Sequence, residues 1–239
     1  MTHRSCAMRR ASGLAVAVMA TLWFAQAALP STALAPNTQS TTLAGYNFTG
    51  YIGVPGNVSA IIVVPKLNCA GTPAAGSAIY VGVGIASVNS YARLELACTS
   101  KGVARYSPSF VVDGTIKNSA GSIHAGDAIQ FAVSQSDSQV ADSVIDLTHK
   151  FSATRLGNGG GTSQGITAGA YPVTSGSTIL GVPKFGTVAF SSSLVNGYPL
   201  GASGTGLQAD DLYASSTLQI KTTYSTSNKE AFSTVFQHS

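Results

Sequence analysis

Residues 128–134 read Ala128-Ile129-Gln130-Phe131-Ala132-Val133-Ser134. Ile129, Phe131 and Val133 fall on one side of an extended chain, and Gln130, Ala132 and Ser134 on the other. Successive side chains leave a pleated strand on opposite faces, so a period of two marks a strand with one face buried. Working outward, similar short runs recur at Val58–Val64, Ala78–Ile85, Ala92–Cys98, Ser109–Val112, Asp142–His149, Thr187–Phe190 and Thr217–Thr223. Gly, Pro, Asn and Ser break them apart, which is the punctuation of an antiparallel β protein. No window shows helical periodicity, there is no internal repeat, and the helix formers Glu, Lys and Met are scarce. The pattern predicts one all-β domain over residues 36–239.

The beginning of the chain reads differently. Arg9 and Arg10 precede an apolar run from Leu14 to Ala28, and small residues follow at A-x-A spacing, at Ala25/Ala27 and Ala33/Ala35. Basic, apolar, small is the order of a secretory signal peptide, here residues 1–35 with cleavage after Ala27 or Ala35. The apolar run is shorter than the ~20 residues a membrane span needs, so no stable membrane anchor is expected after cleavage. The mature protein is therefore expected outside the cell, and as a monomer.

This division changes the meaning of the charge. The whole chain has 13 Lys+Arg, 9 Asp+Glu and a net charge of +4. Three of the arginines, Arg4, Arg9 and Arg10, lie in the leader. The remainder is almost neutral and has no polybasic stripe, which argues against a nucleic-acid partner. It keeps two cysteines, Cys69 and Cys98, whose pairing an exporting compartment permits; two separate buried thiols are the alternative. His124, His149 and His238 are scattered along the sequence without zinc spacing, so neither metal nor cofactor is assigned.

Several short motifs carry no chemistry. Gly161-Thr162-Ser163-Gln164-Gly165 matches G-x-S-x-G, but it lies in the glycine-rich loop Gly157–Gly165 instead of a strand-to-helix elbow. Gly82-Val83-Gly84 precedes no helix and is no dinucleotide site. Asn47-Phe48-Thr49 and Asn57-Val58-Ser59 are glycosylation sequons, relevant only in a host that glycosylates. Asp210-Asp211 reads as a solvated turn, and Asp127 as a turn residue before a strand.

A set of blocks in fixed order carries a family resemblance. They are Leu43-Ala44-Gly45-Tyr46, Val58-Ser59-Ala60-Ile61-Ile62-Val63-Val64-Pro65, Tyr80-Val81-Gly82-Val83-Gly84-Ile85 and Ala125-Gly126-Asp127-Ala128-Ile129-Gln130-Phe131-Ala132-Val133. Ile145-Asp146-Leu147-Thr148 and Phe185-Gly186-Thr187-Val188-Ala189-Phe190 follow. Together, over about residues 42–192, they resemble the glutamic peptidases (eqolisins), secreted acid endopeptidases. The family pattern runs W-x-G-Y, V-S-A-x-x-x-V-P, and W-V-G-I-D-G with a Gln on the next strand. Y-x-A-W-Y-E-W-Y-P, G-D-x-I-x-x-x-V, a segment ending in the catalytic Glu and F-x-x-V-x-F complete it. The resemblance implies a concanavalin-A-like β-sandwich of two curved antiparallel sheets, with an extended peptide held on a concave face. It also implies a Glu acting as general base on water beside a Gln that stabilises the oxyanion.

Carried over residue by residue, the site is incomplete. Glu95 falls at or next to the Gln position, and Thr174 takes the Glu position. A threonine hydroxyl is no competent base at acid pH. After the leader only two glutamates exist, Glu95 and Glu230. The resemblance lines the groove with Tyr80, Arg93, Tyr106, Phe110 and Tyr171, but family tryptophans become Leu43, Tyr80, Ser109 and Val112, and the Asp of I-D-G becomes Gly84. Arg93 and Glu95 share one strand face and read either as an exposed pair or as a rearranged site. Three functions follow: a pseudopeptidase or peptide-binding relative, an acid endopeptidase rebuilt around Glu95, or a carbohydrate-binding or surface-structural sandwich. The scarcity of carboxylates also predicts only mild acid sensitivity.

Overall fold

A computed structural model describes residues 37–52, 56–73, 76–119, 121–159, 164–175, 178–202, 207–225 and 230–238. Residues 1–35, where a leader with both cleavage positions is expected, and Ser163 of the G-x-S-x-G match lie outside these residues. The strands are β1 (Thr38–Ser40), β2 (Ala44–Tyr51), β3 (Gly56–Val63), β4 (Ser77–Ile85), β5 (Ser90–Cys98) and β6 (Ala104–Val112). Next come β7 (Thr115–Asn118), β8 (Ala128–Gln135), β9 (Gln139–Asp146), β10 (Ser152–Asn158), β11 (Gln164–Pro172) and β12 (Thr174–Ser175). The last are β13 (Thr178–Ile179), β14 (Thr187–Val195), β15 (Tyr198–Pro199), β16 (Leu207–Ala214), β17 (Thr217–Tyr224) and β18 (Phe232–Phe236). The only helices among the described residues are two short 3-10 turns.

The strands hydrogen-bond in the order β10-β9-β8-β3-β14-β18-β17-β16-β2-β11-β4-β5-β6-β7. Pairing is antiparallel throughout, apart from β1 running parallel along β16. The sheet curls back on itself, so that β4 packs on β3 and β8, β5 on β8 and β9, and β6 on β10. The result is the all-β architecture expected from the alternating runs, arranged as the β-sandwich that the family resemblance implies.

Its core is built by that alternation. Ile129, Phe131 and Val133 of β8 are fully buried, and they meet Ile79, Val81 and Val83 of β4 and Leu94 and Leu96 of β5 in one cluster. Where the sheet turns over, Phe232 stacks on Phe190 at 4.4 Å and tilts against Tyr46 at 4.7 Å. Two hairpins turn on residues with positive φ, Asp113-Gly114 between β6 and β7 and Asn196-Gly197 between β14 and β15. Both are the two-residue loops whose twist suits antiparallel strands. Cys69 and Cys98 form a disulfide that ties the loop before β4 to the end of β5, with Cα atoms 5.4 Å apart.

Two expectations about acids change. Asp210 and Asp211 lie within β16, not in a solvated turn. Asp210 is buried, and Asp211 accepts hydrogen bonds from Thr222 N and Asn37 Nδ2. The run Asp142–His149 ends as a strand at Asp146, because the Asp146 carboxylate accepts from the backbone N–H groups of Thr148 and His149 and bends the chain into a turn.

The interior also holds a carboxylate. Asp142 is fully buried on the core face of β9 and accepts from Ser90 Oγ at 2.7 Å. Burial pushes its carboxyl up to about 6, against the pull of hydrogen bonds from Ser90 and the Tyr91 backbone and the more distant Arg93 charge. A carboxyl raised on folding binds its proton more tightly in the native state. Stability is therefore gained as pH falls from about 6 to 4, and lost as pH rises through the same window. The shift corresponds to about 3 kcal/mol at most. Asp146 works the other way: despite burial, hydrogen bonds from His149 and Thr148 hold it below the usual range. Its contribution is lost at more acid pH. We expect urea midpoints to be higher at pH 4 than at pH 7, and Asp142→Asn to remove most of that rise. Equal midpoints in the parent would contradict this role for Asp142.

Candidate functional site

The outer face of β2, β11, β4, β5 and β6 carries the residues that the alternation leaves off the core. At one level a row crosses the strands in register: Asp210, Gly45, Gly169, Gly82, Arg93, Ser109 and Asn118. Three adjacent strands thus carry glycine between Asp210 and Arg93, and all three glycines are buried. In the neighbouring row Tyr171, Tyr80, Glu95 and Ser107 stand side by side.

Arg93 dominates this face. Its guanidinium lies 4.0 Å above the Tyr80 ring centroid and 5.7 Å from that of Tyr91, and the residue is 8% exposed. Nε and Nη2 are buried without a hydrogen-bond partner among the described residues. Burial lowers its pKa, partly opposed by the surrounding tyrosines and Asp142. A buried guanidinium costs several kcal/mol to desolvate, and cation–π contact returns only about 2 kcal/mol.

Glu95 is half-buried beside it. Burial raises its carboxyl above the usual range, while Arg93 and Arg105 pull it down. Tyr91 meets Tyr171 edge-on at 5.8 Å, and the Tyr171 hydroxyl donates to Thr167 Oγ1 at 2.9 Å. Burial raises the phenols of Tyr80, Tyr91 and Tyr171. Tyr80 and Tyr171 join Leu43, Ala78 and Val173 in a second apolar cluster, so neither ring is an open stacking platform.

The structure assembles Tyr80, Arg93, Glu95 and Tyr171 on this face and moves the other expected groove residues elsewhere. Phe110 is fully buried in the core, and Tyr106 packs on the core with its hydroxyl donating to Pro65 O. Both occupy even positions of β6, while Ser107 and Ser109 face Glu95 and Arg93. Thr174 is exposed on the small β12–β13 hairpin, outside the large sheet. Arg93 and Glu95 do share a face, but Arg93 is buried, so they are no exposed surface pair. The row of glycines and the burial of Arg93 escaped sequence reasoning, although Gly82 and Gly45 were visible inside the quoted blocks.

Other concavities carry less chemistry. A cleft of about 310 Å³ opens among Pro172, Ile179, Leu180, Val182 and Tyr213, without a carboxylate or imidazole in its lining. His124 and His149, scattered in sequence, converge on Asp127 in space.

Among solved structures, the architecture matches the β-sandwich of glutamic peptidases. Scytalido-glutamic peptidase with a transition-state analog inhibitor superposes with a TM-score of 0.65 at 16% identity, covering 84% of this chain and 100% of that one. SCP-B, a member of the eqolisin family in complex with the tripeptide Ala-Ile-His, gives 0.60 at 16% identity, with the same coverage. No protein-family profile and no curated protein matches the chain. The likeness establishes the fold. Among the described residues no helix is long and apolar enough to cross a membrane.

Proposed function

We propose that the protein is an exported, peptide-binding relative of the glutamic peptidases that does not use a Gln/Glu dyad. Residues 1–35 act as the export signal, removed after Ala27 or Ala35, and residues 36–239 bind the ligand. The observation that carries the reading is Arg93, whose buried Nε and Nη2 on the outer sheet face have no hydrogen-bond partner among the described residues. An extended peptide lying along this face beside Tyr80 and Glu95 would bring a carboxylate to Arg93 once Tyr91 turns aside. A charge-assisted hydrogen bond there would satisfy the guanidinium.

The test compares a peptide with a free C-terminal carboxylate and its amidated form by calorimetry. The free acid should bind more tightly, and Arg93→Met should weaken it at least tenfold while leaving the urea midpoint unchanged or higher. Equal affinity for both forms, or a variant that merely loses stability, would make Arg93 a structural residue. A second reading rests on the raised carboxyl of Glu95, the only glutamate on this face: an acid endopeptidase rebuilt around it. Denatured casein incubated from pH 2 to 5 separates the two. We expect no cleavage by the parent. Cleavage that disappears in Glu95→Ala would replace the binding reading with the enzymatic one.

A further inference from the structure

We propose that His124, Asp127 and His149 bind a divalent transition-metal ion of the zinc class. The site lies where the turn preceding β8 meets the turn between β9 and β10. One ligand atom from each residue lies within 4.8 Å of those of the other two. Asp127 Oδ1 is 3.3 Å from His149 Nδ1, and Asp127 Oδ2 is 3.7 Å from His124 Nδ1. Ligands held at about 2.0–2.1 Å around a tetrahedral zinc are spaced by roughly 3.3 Å; the His149 contact has that spacing, and the His124 contact, made to the other carboxylate oxygen, closes onto the ion by rotation of its exposed imidazole.

The fixed and mobile parts suit a metal. Asp127 is 4% exposed, and its Oδ2 accepts from the His124 backbone N–H at 2.7 Å. The imidazole side chains are 65% and 55% exposed, so they can rotate onto an ion and leave a fourth position to water. Asp146, fully buried, already meets the same His149 Nδ1 with its Oδ2 at 3.3 Å, so an ion bound at that nitrogen would take the place of this contact. Two buried carboxylates therefore face one imidazole nitrogen, a place where a cation is electrostatically favoured. Imidazole and carboxylate together suit Zn²⁺, Ni²⁺ or Cu²⁺, whereas Ca²⁺ and Mg²⁺ require more oxygen ligands. The ion would clamp two turns at one end of the sandwich, on strands other than those carrying Tyr80, Arg93 and Glu95.

Calorimetric titration of the untagged full chain with Zn²⁺ at neutral pH tests this. One ion per chain should bind, His124→Ala and His149→Ala should each weaken it at least tenfold, and the double variant should not bind. Ca²⁺ and Mg²⁺ should produce no binding heat. At a hundredfold excess over Kd, Zn²⁺ should raise the melting temperature by about 5 °C or more. If either alanine variant fails to fold, as judged by circular dichroism, His124→Gln and His149→Gln take its place. Absence of Zn²⁺ binding by the parent, or unchanged binding by the folded double variant, would overturn the assignment.

Discussion

Gly169→Ala should destabilise the protein by about 3 kcal/mol, lowering the melting temperature by roughly 6–12 °C for a chain of this size. A Cβ at Gly169 would lie 2.1 Å from Ala44 O and 2.8 Å from Gly45 Cα. Those atoms belong to backbone locked by hydrogen bonds between β11 and β2, so no side chain can rotate to make room. Gly45 and Gly82 are in the same situation, each leaning on the next strand. β11 and β2 would have to separate to admit the methyl group. Gly181→Ala is the control, since its Cβ would meet only Ser77 Cβ, at 4.0 Å, and should change stability by less than about 0.5 kcal/mol. Thermal denaturation of the two variants beside the parent decides the matter. A Gly169→Ala midpoint within 2 °C of the parent would mean that the strands spread easily.

Replacing both cysteines, in a Cys69→Ala/Cys98→Ala variant, should cost about 3–4 kcal/mol. The bond closes a segment with a sequence separation of 29 that contains all of β4 and most of β5. Opening it enlarges the conformational freedom of the unfolded chain, while the folded chain loses little, because both sulfurs already sit in the apolar core. Alanine avoids burying a hydroxyl there. Urea denaturation should show the loss as a lower midpoint, and a reducing agent should reproduce it in the parent. A double variant as stable as the parent would show that the loop is confined by its strands alone.

How far the sequence could be read depends on what each residue's role requires. Alternation sufficed for Ile129, Phe131 and Val133, because one strand face against one core needs only local order. Extending the short run Ser109–Val112 back to Ala104 would have assigned Tyr106 and Phe110 to the core, since both pair in register with core residues of β5. Thr174 escaped for a different reason. Pro172 has no N–H for the ladder, so β11 stops two residues short of Thr174. Arg93 was placed correctly on the face of Glu95. Its burial depends on Tyr80 across the strand pair and on Tyr91 two residues back, which is tertiary information. His124 and His149 meet only because β8 and β9 pair Ile129 with Asp146, a register that residue spacing does not announce.

The strand order has a consequence for how the chain becomes native. β2 and β3 are consecutive in sequence, yet β14, β18, β17 and β16 stand between them in the sheet. All four come from the last part of the polypeptide. While a ribosome is still making that part, neither half of the sheet has the neighbours that would join it to the other. Folding must wait for the C-terminal strands and then close contacts over most of the chain length. Such topologies fold slowly. Each half therefore keeps an open strand edge until the C-terminal strands join it to the other.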